Sequence, residues 1–209
     1  MLNIYSMKKG KATRDAIIDE ALSQAVIVGL EGLTVGTLAS RLELSKSGLF
    51  AHFKSREALQ LAVLQAARDR FALSVVVPAF SGTEGRHRLR RLFLRYLDWI
   101  SEGDGAGGCL FVTASQEFDD RPGAVRDLLV RSQKEWRNVI CKVVEDAIKN
   151  GEFRKDTDSE QLAFELAGIA LSYQLSLKLL QDQRARKLAE RSFDRLERSV
   201  LLKARNEAA

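Results

Sequence analysis

The chain has 209 residues and a net charge of +5, with 45% hydrophobic and 29% charged residues. This composition is typical of a globular protein and excludes a mainly disordered chain. No apolar run reaches the about 18 residues of a membrane-spanning helix, so we expect no membrane partner. The N-terminal residues lack the pattern of a signal peptide, which favours a cytoplasmic protein.

Helical signals follow one another along the whole chain, and only two prolines interrupt them. Apolar residues recur at the three- and four-residue spacing of amphipathic helices. Ser and Thr stand at the predicted helix starts and Gly at several predicted ends, as capping requires. The sequence therefore predicts an all-α fold of about nine helices, near residues 13–29, 34–42, 45–51, 55–78, 83–101, 109–118, 122–150, 157–181 and 184–203.

The residues with catalytic or metal-binding chemistry are few. Cys109 and Cys141 are far apart and not at metal-ligand spacing. Free cysteines are usually small buried apolar residues, although a redox-sensing pair is the alternative. Glu117, Asp119 and Asp120 could form a metal trio, but a helix end explains them more simply. We therefore expect no metal, no cofactor and no enzyme.

Residues 34 to 51 contain two short helical patterns joined by a turn of about three residues. Ala39 is small where a second helix would cross closely, and Leu49 follows ten residues later to fill the joint. This spacing predicts a helix-turn-helix, in which the second helix can enter the major groove of DNA. Helix pairs with short turns also occur in proteins that bind no DNA, so the spacing alone leaves the function open.

Four cations precede the first acidic residue, Asp15. A basic arm that enters a helical domain is a common feature of nucleic-acid-binding proteins. It is equally common as a solubilising tail, so both interpretations stay open. The four cations are Lys8, Lys9, Lys11 and Arg14.

The stretch GLTVGTLASRLELSKSGLFAHFKSREAL resembles the N-terminal DNA-binding domain of the TetR family of bacterial transcriptional regulators. Many positions agree with the family pattern in order, which makes the resemblance specific. The segment GGCLFVTASQEFDDRPGAVRDLL is also similar to one found in many members. The matching positions in the first stretch are Thr34, Ala39, Ser45, Gly48, Leu49, Phe50, His52, Phe53, Lys54, Glu57 and Leu59.

The resemblance implies two domains, an N-terminal arm and helix-turn-helix at residues 1–54 and a ligand-binding and dimerisation domain at 55–209. It places the third helix in the major groove of double-stranded DNA. Lys46, Ser47 and Gly48 would then form the edge that meets the bases, with a phosphate as the alternative partner of Lys46. Thr34, His52 and Lys54 would contact phosphates. The full set implied to lie at the DNA is Thr34, Ser45, Lys46, Ser47, Gly48, Phe50, Ala51, His52 and Lys54.

In this family the helices that follow enclose an inducer cavity, and the last two form the dimer interface. Aromatic residues are dense there, so we expect some of them to line a pocket for an apolar or aromatic effector. The pocket candidates are Phe71, Phe93, Tyr96, Trp99, Phe111, Phe118, Trp136 and Phe164. Small residues in ELAGIALSY would allow close helix contact, and the predicted seam across the two-fold axis is Leu166, Ile169, Ala170 and Tyr173.

The resemblance thus implies a homodimeric transcriptional repressor that binds an inverted-repeat operator and is released by a small molecule. Two other classes stay possible. One is a ligand-independent architectural DNA-binding protein with weak sequence preference. The other is a regulator that senses oxidants through Cys109 or Cys141.

The chain departs from the family pattern at two places. The family usually has Gly in the turn where this chain has Glu43. A non-Gly residue at positive φ costs about 1 kcal/mol, so the turn is either strained or shaped differently. The second departure is Phe50 followed by Ala51, where the family commonly has Tyr followed by Tyr or Trp. Phe50 has no hydroxyl to offer a phosphate.

Overall fold

The computed structural model describes residues 2–82, 84–102 and 108–202, with side chains from Gly10 onward in the first helix. These residues form nine helices, which confirms the predicted all-α fold. A single β-bridge joins Phe153 to Leu201. No helix in the described ranges is long and apolar enough to span a membrane. The helices are α1 (Leu2–Val28), α2 (Val35–Arg41), α3 (Lys46–His52), α4 (Arg56–Phe71, continued by a π-helical turn at Ala72–Val76 and a last turn at Val77–Ala79), α5 (Gly85–Glu102), α6 (Leu110–Phe118), α7 (Ala124–Lys149), α8 (Ser159–Lys178) and α9 (Ala185–Val200).

Three of the predicted helix starts are wrong. Helix α7 begins at Ala124, so Pro122 precedes the helix and does not lie in its first turn. Helix α1 begins at Leu2 rather than Thr13, because only Gly10 among the preceding residues is a poor helix former. The predicted basic arm is therefore part of a helix. Helix α8 is capped by Asp158 rather than Thr157, since the Asp158 carboxylate accepts the N–H groups of Glu160 and Gln161 at 2.9 and 3.1 Å. The predicted limits at residues 83 and 203 lie outside the described residues.

The chain divides into two compact units. The first comprises Met1–Phe71 and Glu102–Ser132, and the second comprises Ala72–Ser101 and Gln133–Ala209. The first unit therefore contains α1 to α3, most of α4, α6 and the beginning of α7. The predicted domain boundary between residues 54 and 55 separates DNA binding from ligand binding and does not describe compact units. It stays a prediction.

In the first unit, α2 and α3 are stable only because they are packed together. Each has seven residues, fewer than the about 12–15 that an isolated helix needs in water. Leu38 of α2 and Leu49 of α3 are both at most 1% exposed, and α1 packs against both helices. Ala39 is 3% exposed, as expected for a small residue at a close crossing.

In the second unit, aromatic contacts and ion pairs hold the helices together. Phe93 of α5 stacks on Phe193 of α9 with ring centroids 4.3 Å apart. Two arginines form ion pairs between the same two helices, Arg90 with Asp194 at 2.8 Å and Arg186 with Asp98 at 2.6 Å. Helices α8 and α9 pack along each other for most of their length.

Candidate nucleic-acid interface

Hydroxyl groups fix the start of both helices of the helix-turn-helix. The Thr34 hydroxyl accepts the Thr37 N–H at 3.1 Å, and the Ser45 hydroxyl accepts the Gly48 N–H at 3.0 Å. Each bond satisfies one of the N–H groups that a helix start leaves unpaired. The two predicted caps are therefore confirmed, because each hydroxyl accepts a backbone N–H at the start of its helix.

The turn between α2 and α3 has the geometry that usually requires glycine. Glu43 has a φ of 53°, which lies in the left-handed region. The following Leu44 N–H donates to the Ala39 carbonyl at 2.9 Å and closes the end of α2. The sequence left open whether this turn is strained or differently shaped, and the structure shows that it is strained. The turn keeps the left-handed conformation that glycine adopts without strain, but Glu43 occupies that position.

The outward face of α3 contains most of the residues predicted to meet bases. Lys46 and Ser47 are exposed, Phe50 is 47% exposed, and Ala51 is exposed one position later. The opposite face of α3 is buried through Leu49, which is 1% exposed. Because residues three and four apart share one side of a helix, these four side chains form one continuous surface.

The predicted phosphate-contacting residues surround this surface. Thr34 and Lys54 are exposed, and His52 is half-buried at the last turn of α3. Gly36 in the first turn of α2 lies beside the Lys46 side chain, since a Cβ placed there would be 3.8 Å from Lys46 Cε. The first turns of α2 and α3 thus lie side by side. The DNA contacts themselves stay a prediction.

Of the four cations in the predicted arm, Arg14 has a described role inside the protein. Its guanidinium lies over the Phe53 ring, 5.0 Å from the centroid. This contact joins α1 to the end of α3, so Arg14 supports the domain.

A contact between distant parts of the first unit was not predicted from the sequence. The Glu117 carboxylate at the end of α6 accepts the N–H groups of Leu30 and Glu31 at 2.9 and 3.3 Å. Gly29 precedes them with a φ of 78°, and a Cβ on it would lie 1.7 Å from Glu117 Oε1. We call this arrangement of Glu117 against Gly29, Leu30 and Glu31 the Glu117 clasp. It ties the turn before α2 to α6.

Further polar contacts surround the clasp. Gln60 of α4 donates to the Leu30 carbonyl at 3.1 Å and to the Glu31 carboxylate at 3.2 Å, and Arg121 pairs with Glu31 at 2.9 Å. Burial acts to raise the pKa of Glu31, but the hydrogen bond from Gln60 and the charges of two arginines outweigh it. The pKa of Glu31 therefore lies below its ordinary value, and the ionised form stabilises this corner of the protein.

The predicted pocket residues do not share one environment. Phe71, Phe111 and Phe118 belong to the first unit and the other five to the second. Phe93 is fully buried in its stack with Phe193, so it is a core residue. Phe164 is 71% exposed and lies with Trp136 in an open depression on α7 and α8. Phe164 is therefore too exposed to line an enclosed effector cavity, whereas the other pocket candidates, Phe93 included, stay predictions.

Three of the four predicted dimer-seam residues are buried within the protomer. Leu166, Ala170 and Tyr173 are at most 3% exposed, because the face of α8 that carries them packs inside the unit. They offer no surface to a partner, and the prediction is corrected here. Ile169 is half-exposed and lines the groove between α8 and α9. The exposed apolar residues of these helices are Phe164, Leu171 and Leu175 on α8 and Leu188 on α9, and Leu179 directly after α8 is exposed too.

Both cysteines are free and buried. Burial raises the pKa of the Cys141 thiol, and the nearby Glu160 carboxylate adds to the effect. Oxidation proceeds through an accessible thiolate, so this environment disfavours the redox-sensing alternative for Cys141. Within the described part of the chain, no three His, Cys, Asp or Glu residues are placed to hold a metal.

The fold and this site together define a helix-turn-helix DNA-binding protein. Residues 17–63 match the family described as bacterial regulatory proteins of the tetR family, and residues 85–193 match the tetracyclin repressor-like C-terminal domain. The chain therefore belongs to the TetR family of bacterial transcriptional regulators, which confirms the resemblance found in the sequence. Members are non-enzymatic transcription factors, so the expectation that the chain is not an enzyme is confirmed too.

Individual relatives agree with this assignment. The transcriptional regulator TcmR of Streptomyces glaucescens is 28% identical over 130 residues, which are 61% of this chain and 57% of TcmR. The chain thus spans little more than half of that relative. A TetR regulator from Chloroflexus aurantiacus superposes with a TM-score of 0.84 at 22% identity, covering 94% of this chain and 100% of the other. AibR, solved with isovaleryl coenzyme A and operator DNA, gives 0.71 at 19% identity and covers 90% and 97%. These two similarities show a common fold.

Proposed function

We propose that the protein is a homodimeric repressor that reads an inverted-repeat operator with α3 and is released by a small apolar or aromatic effector. The outward face of α3 is the observation that carries the proposal. It is exposed, begins with Lys46 and Ser47, and lies in the segment that matches the family's DNA-binding domain. Such a regulator would act in the cytoplasm.

The residues of this face divide by the chemistry they offer. The Lys46 ammonium can donate to guanine O6 and N7, and the Ser47 hydroxyl can bond to several base edges. Gly48 allows the α3 backbone to approach the groove closely. Thr34, His52 and Lys54 at the margin would contact phosphates, which fix the position of the protein but do not read sequence.

Replacing Lys46 by alanine tests this division. If Lys46 meets a base, binding to the operator falls by about tenfold or more while binding to unrelated DNA changes little. If it meets a phosphate, binding to all DNA falls and the salt dependence decreases by about one unit. Lys134→Ala, at an exposed position on α7, is the matched control for loss of one charge. Equal binding of Lys46→Ala and the parent would exclude Lys46 from the interface.

The exposed apolar residues of α8 and α9 support a dimer. Leu171 is 51% exposed, Leu175 is 53% exposed one turn later, and Leu188 on α9 is 45% exposed. Leu171 and Leu175 are four residues apart and share one side of α8, and an exposed apolar stripe of this kind favours a protein interface. A two-fold dimer presents two copies of α3, so the two half-sites of the operator should lie about one helical turn apart.

The release mechanism follows from differential affinity. An effector that binds the DNA-free conformation better lowers the population of the conformation whose two α3 helices match the half-sites. AibR was solved with a coenzyme A thioester, and we propose a small apolar or aromatic molecule for this chain. A screen of uncharged aromatic and short acyl compounds by thermal shift tests this. A hit should raise the melting temperature and weaken operator binding, whereas hits that all leave operator binding unchanged would contradict effector release.

A further inference from the structure

The recognition surface contains an exposed aromatic residue that the phosphate-contact pattern does not explain. Phe50 is 47% exposed on the outward face of α3, and the exposed Ala51 follows it. Leaving apolar surface in water forgoes about 25 cal/mol for each Å² that could be buried. Leu49, the neighbouring apolar residue of α3, is 1% exposed. Because Phe50 lies in the segment that matches the family's DNA-binding domain, its exposed ring is available to an apolar group of the DNA.

The chemistry of the major groove limits that partner. A phenyl ring has no hydroxyl, so Phe50 cannot donate a hydrogen bond to a phosphate oxygen. The base edges in the major groove present polar donors and acceptors, and the only apolar group among them is the C5-methyl of thymine. Phenylalanine and alanine side chains are both suited to contact that methyl group.

The position of Phe50 on α3 fits such a contact. Phe50 lies one helical turn after Lys46 and three residues after Ser47, so it shares the side that these polar residues occupy. Ala51 lies beside it on the same outward face and leaves room for a methyl group.

We propose that Phe50, supported by Ala51, reads a thymine methyl group in each half-site of the operator. The proposal rests on the proposed function, because it needs a specific DNA site. Phe50 would thus contribute to sequence recognition. The proposal predicts that each half-site requires one thymine that is recognised by its methyl group and not through hydrogen bonds from α3.

Removal of single methyl groups from the DNA tests the proposal with the unmodified protein. An operator recovered from random duplex DNA by the full chain is resynthesised with deoxyuridine at one thymine position at a time. Affinity is then measured by fluorescence anisotropy for the parent, Phe50→Ala and Phe50→Leu. Because Phe50 is half exposed, its replacement leaves the core intact, and binding to unrelated DNA serves as the folding control.

At one thymine position in each half-site, removing the methyl group should lower the affinity of the parent protein for the operator about fourfold. Removing it in both half-sites should lower the affinity about fifteenfold. Phe50→Ala should lose most of the difference between the thymine and uracil operators, because its single methyl group reaches less far than the ring, and Phe50→Leu should keep more of it. The proposal is overturned if methyl removal costs nothing at any position, or costs the parent and Phe50→Ala the same. Failure to recover any specific operator would overturn the proposed function along with it.

Discussion

Replacing Glu117 by alanine removes the acceptor of the Glu117 clasp. A hydrogen bond to a charged group contributes about 1.5–3 kcal/mol, and leaving a buried N–H unpaired costs about 1–3 kcal/mol. The 2.9 Å bond to the Leu30 N–H should dominate over the 3.3 Å bond to Glu31. Since Glu117 is half-buried, water compensates part of the loss. We expect the free energy of unfolding to fall by about 2–3 kcal/mol.

The effect of the Glu117 charge can be measured separately from the effect of its hydrogen-bond acceptor. Glu117→Gln keeps one acceptor oxygen and should lose only about 1 kcal/mol. Gln116→Ala, an exposed change on the same helix, is the control and should stay within about 0.5 kcal/mol of the parent. Urea unfolding followed by circular dichroism at one protein concentration gives these values. In a chain of this size the Glu117→Ala loss corresponds to a fall in melting temperature of about 4–12 °C.

Gly29 supplies an independent check of the same geometry. In the parent, Gly29→Ala should lower the free energy of unfolding for two reasons. The φ of 78° disfavours a side chain, and the new Cβ would lie 1.7 Å from the Glu117 carboxylate. In the Glu117→Ala background only the backbone cost of about 1 kcal/mol remains. Gly29→Ala should therefore be less destabilising in the double variant. Equal costs in both backgrounds, or a Glu117→Ala protein as stable as the parent, would refute the clasp.

Three further predictions follow from other contacts. Glu43→Gly should raise the free energy of unfolding by about 0.5–1 kcal/mol, because it relieves the φ of 53°; a fall in the urea midpoint would contradict this. The pKa of Glu31 is lowered on folding, so its stabilising effect is complete above the ordinary value of 4.5 and disappears as the pH falls through the lower folded value. The stability difference between the parent and Glu31→Gln should accordingly shrink from about pH 7 to about pH 3, and a constant difference would exclude the charge as its cause. Leu171→Glu should give a monomer in analytical ultracentrifugation, whereas Leu73→Glu, also at an exposed leucine, should leave the dimer intact; a dimeric Leu171→Glu would refute the α8 interface.

The local features of the fold could be predicted from the sequence because they depend on neighbouring residues. The caps at Thr34 and Ser45 and the strained turn at Glu43 each follow from a few adjacent residues whose geometry is fixed by the backbone. The number of helices follows from the spacing of apolar residues. The predicted start of α1 was wrong because the helix continues through Thr13 to Leu2, and a capping-type residue does not by itself end a helix.

The features that depend on distant residues could not be predicted in this way. Glu117 and Leu30 are 87 positions apart, and a glutamate near a helix end gives no signal of the backbone it contacts. Helix α8 has apolar residues on two faces, so the pattern cannot tell which face is buried within the protomer. The predicted dimer seam used the face of α8 that carries Leu166 and Ala170, which is buried inside the protomer. Leu171 lies on the exposed face.

The central claim is that α3 of a dimer reads a specific DNA sequence, and selection from random duplex DNA tests it most directly. The affinity of the recovered sites and of unrelated DNA should be measured at two salt concentrations. We predict an inverted repeat whose half-sites lie about one helical turn apart, bound at least about a thousandfold more tightly than unrelated DNA. Recovery of unrelated sequences, with a steep salt dependence and no specific site, would contradict the account and indicate an architectural DNA-binding protein.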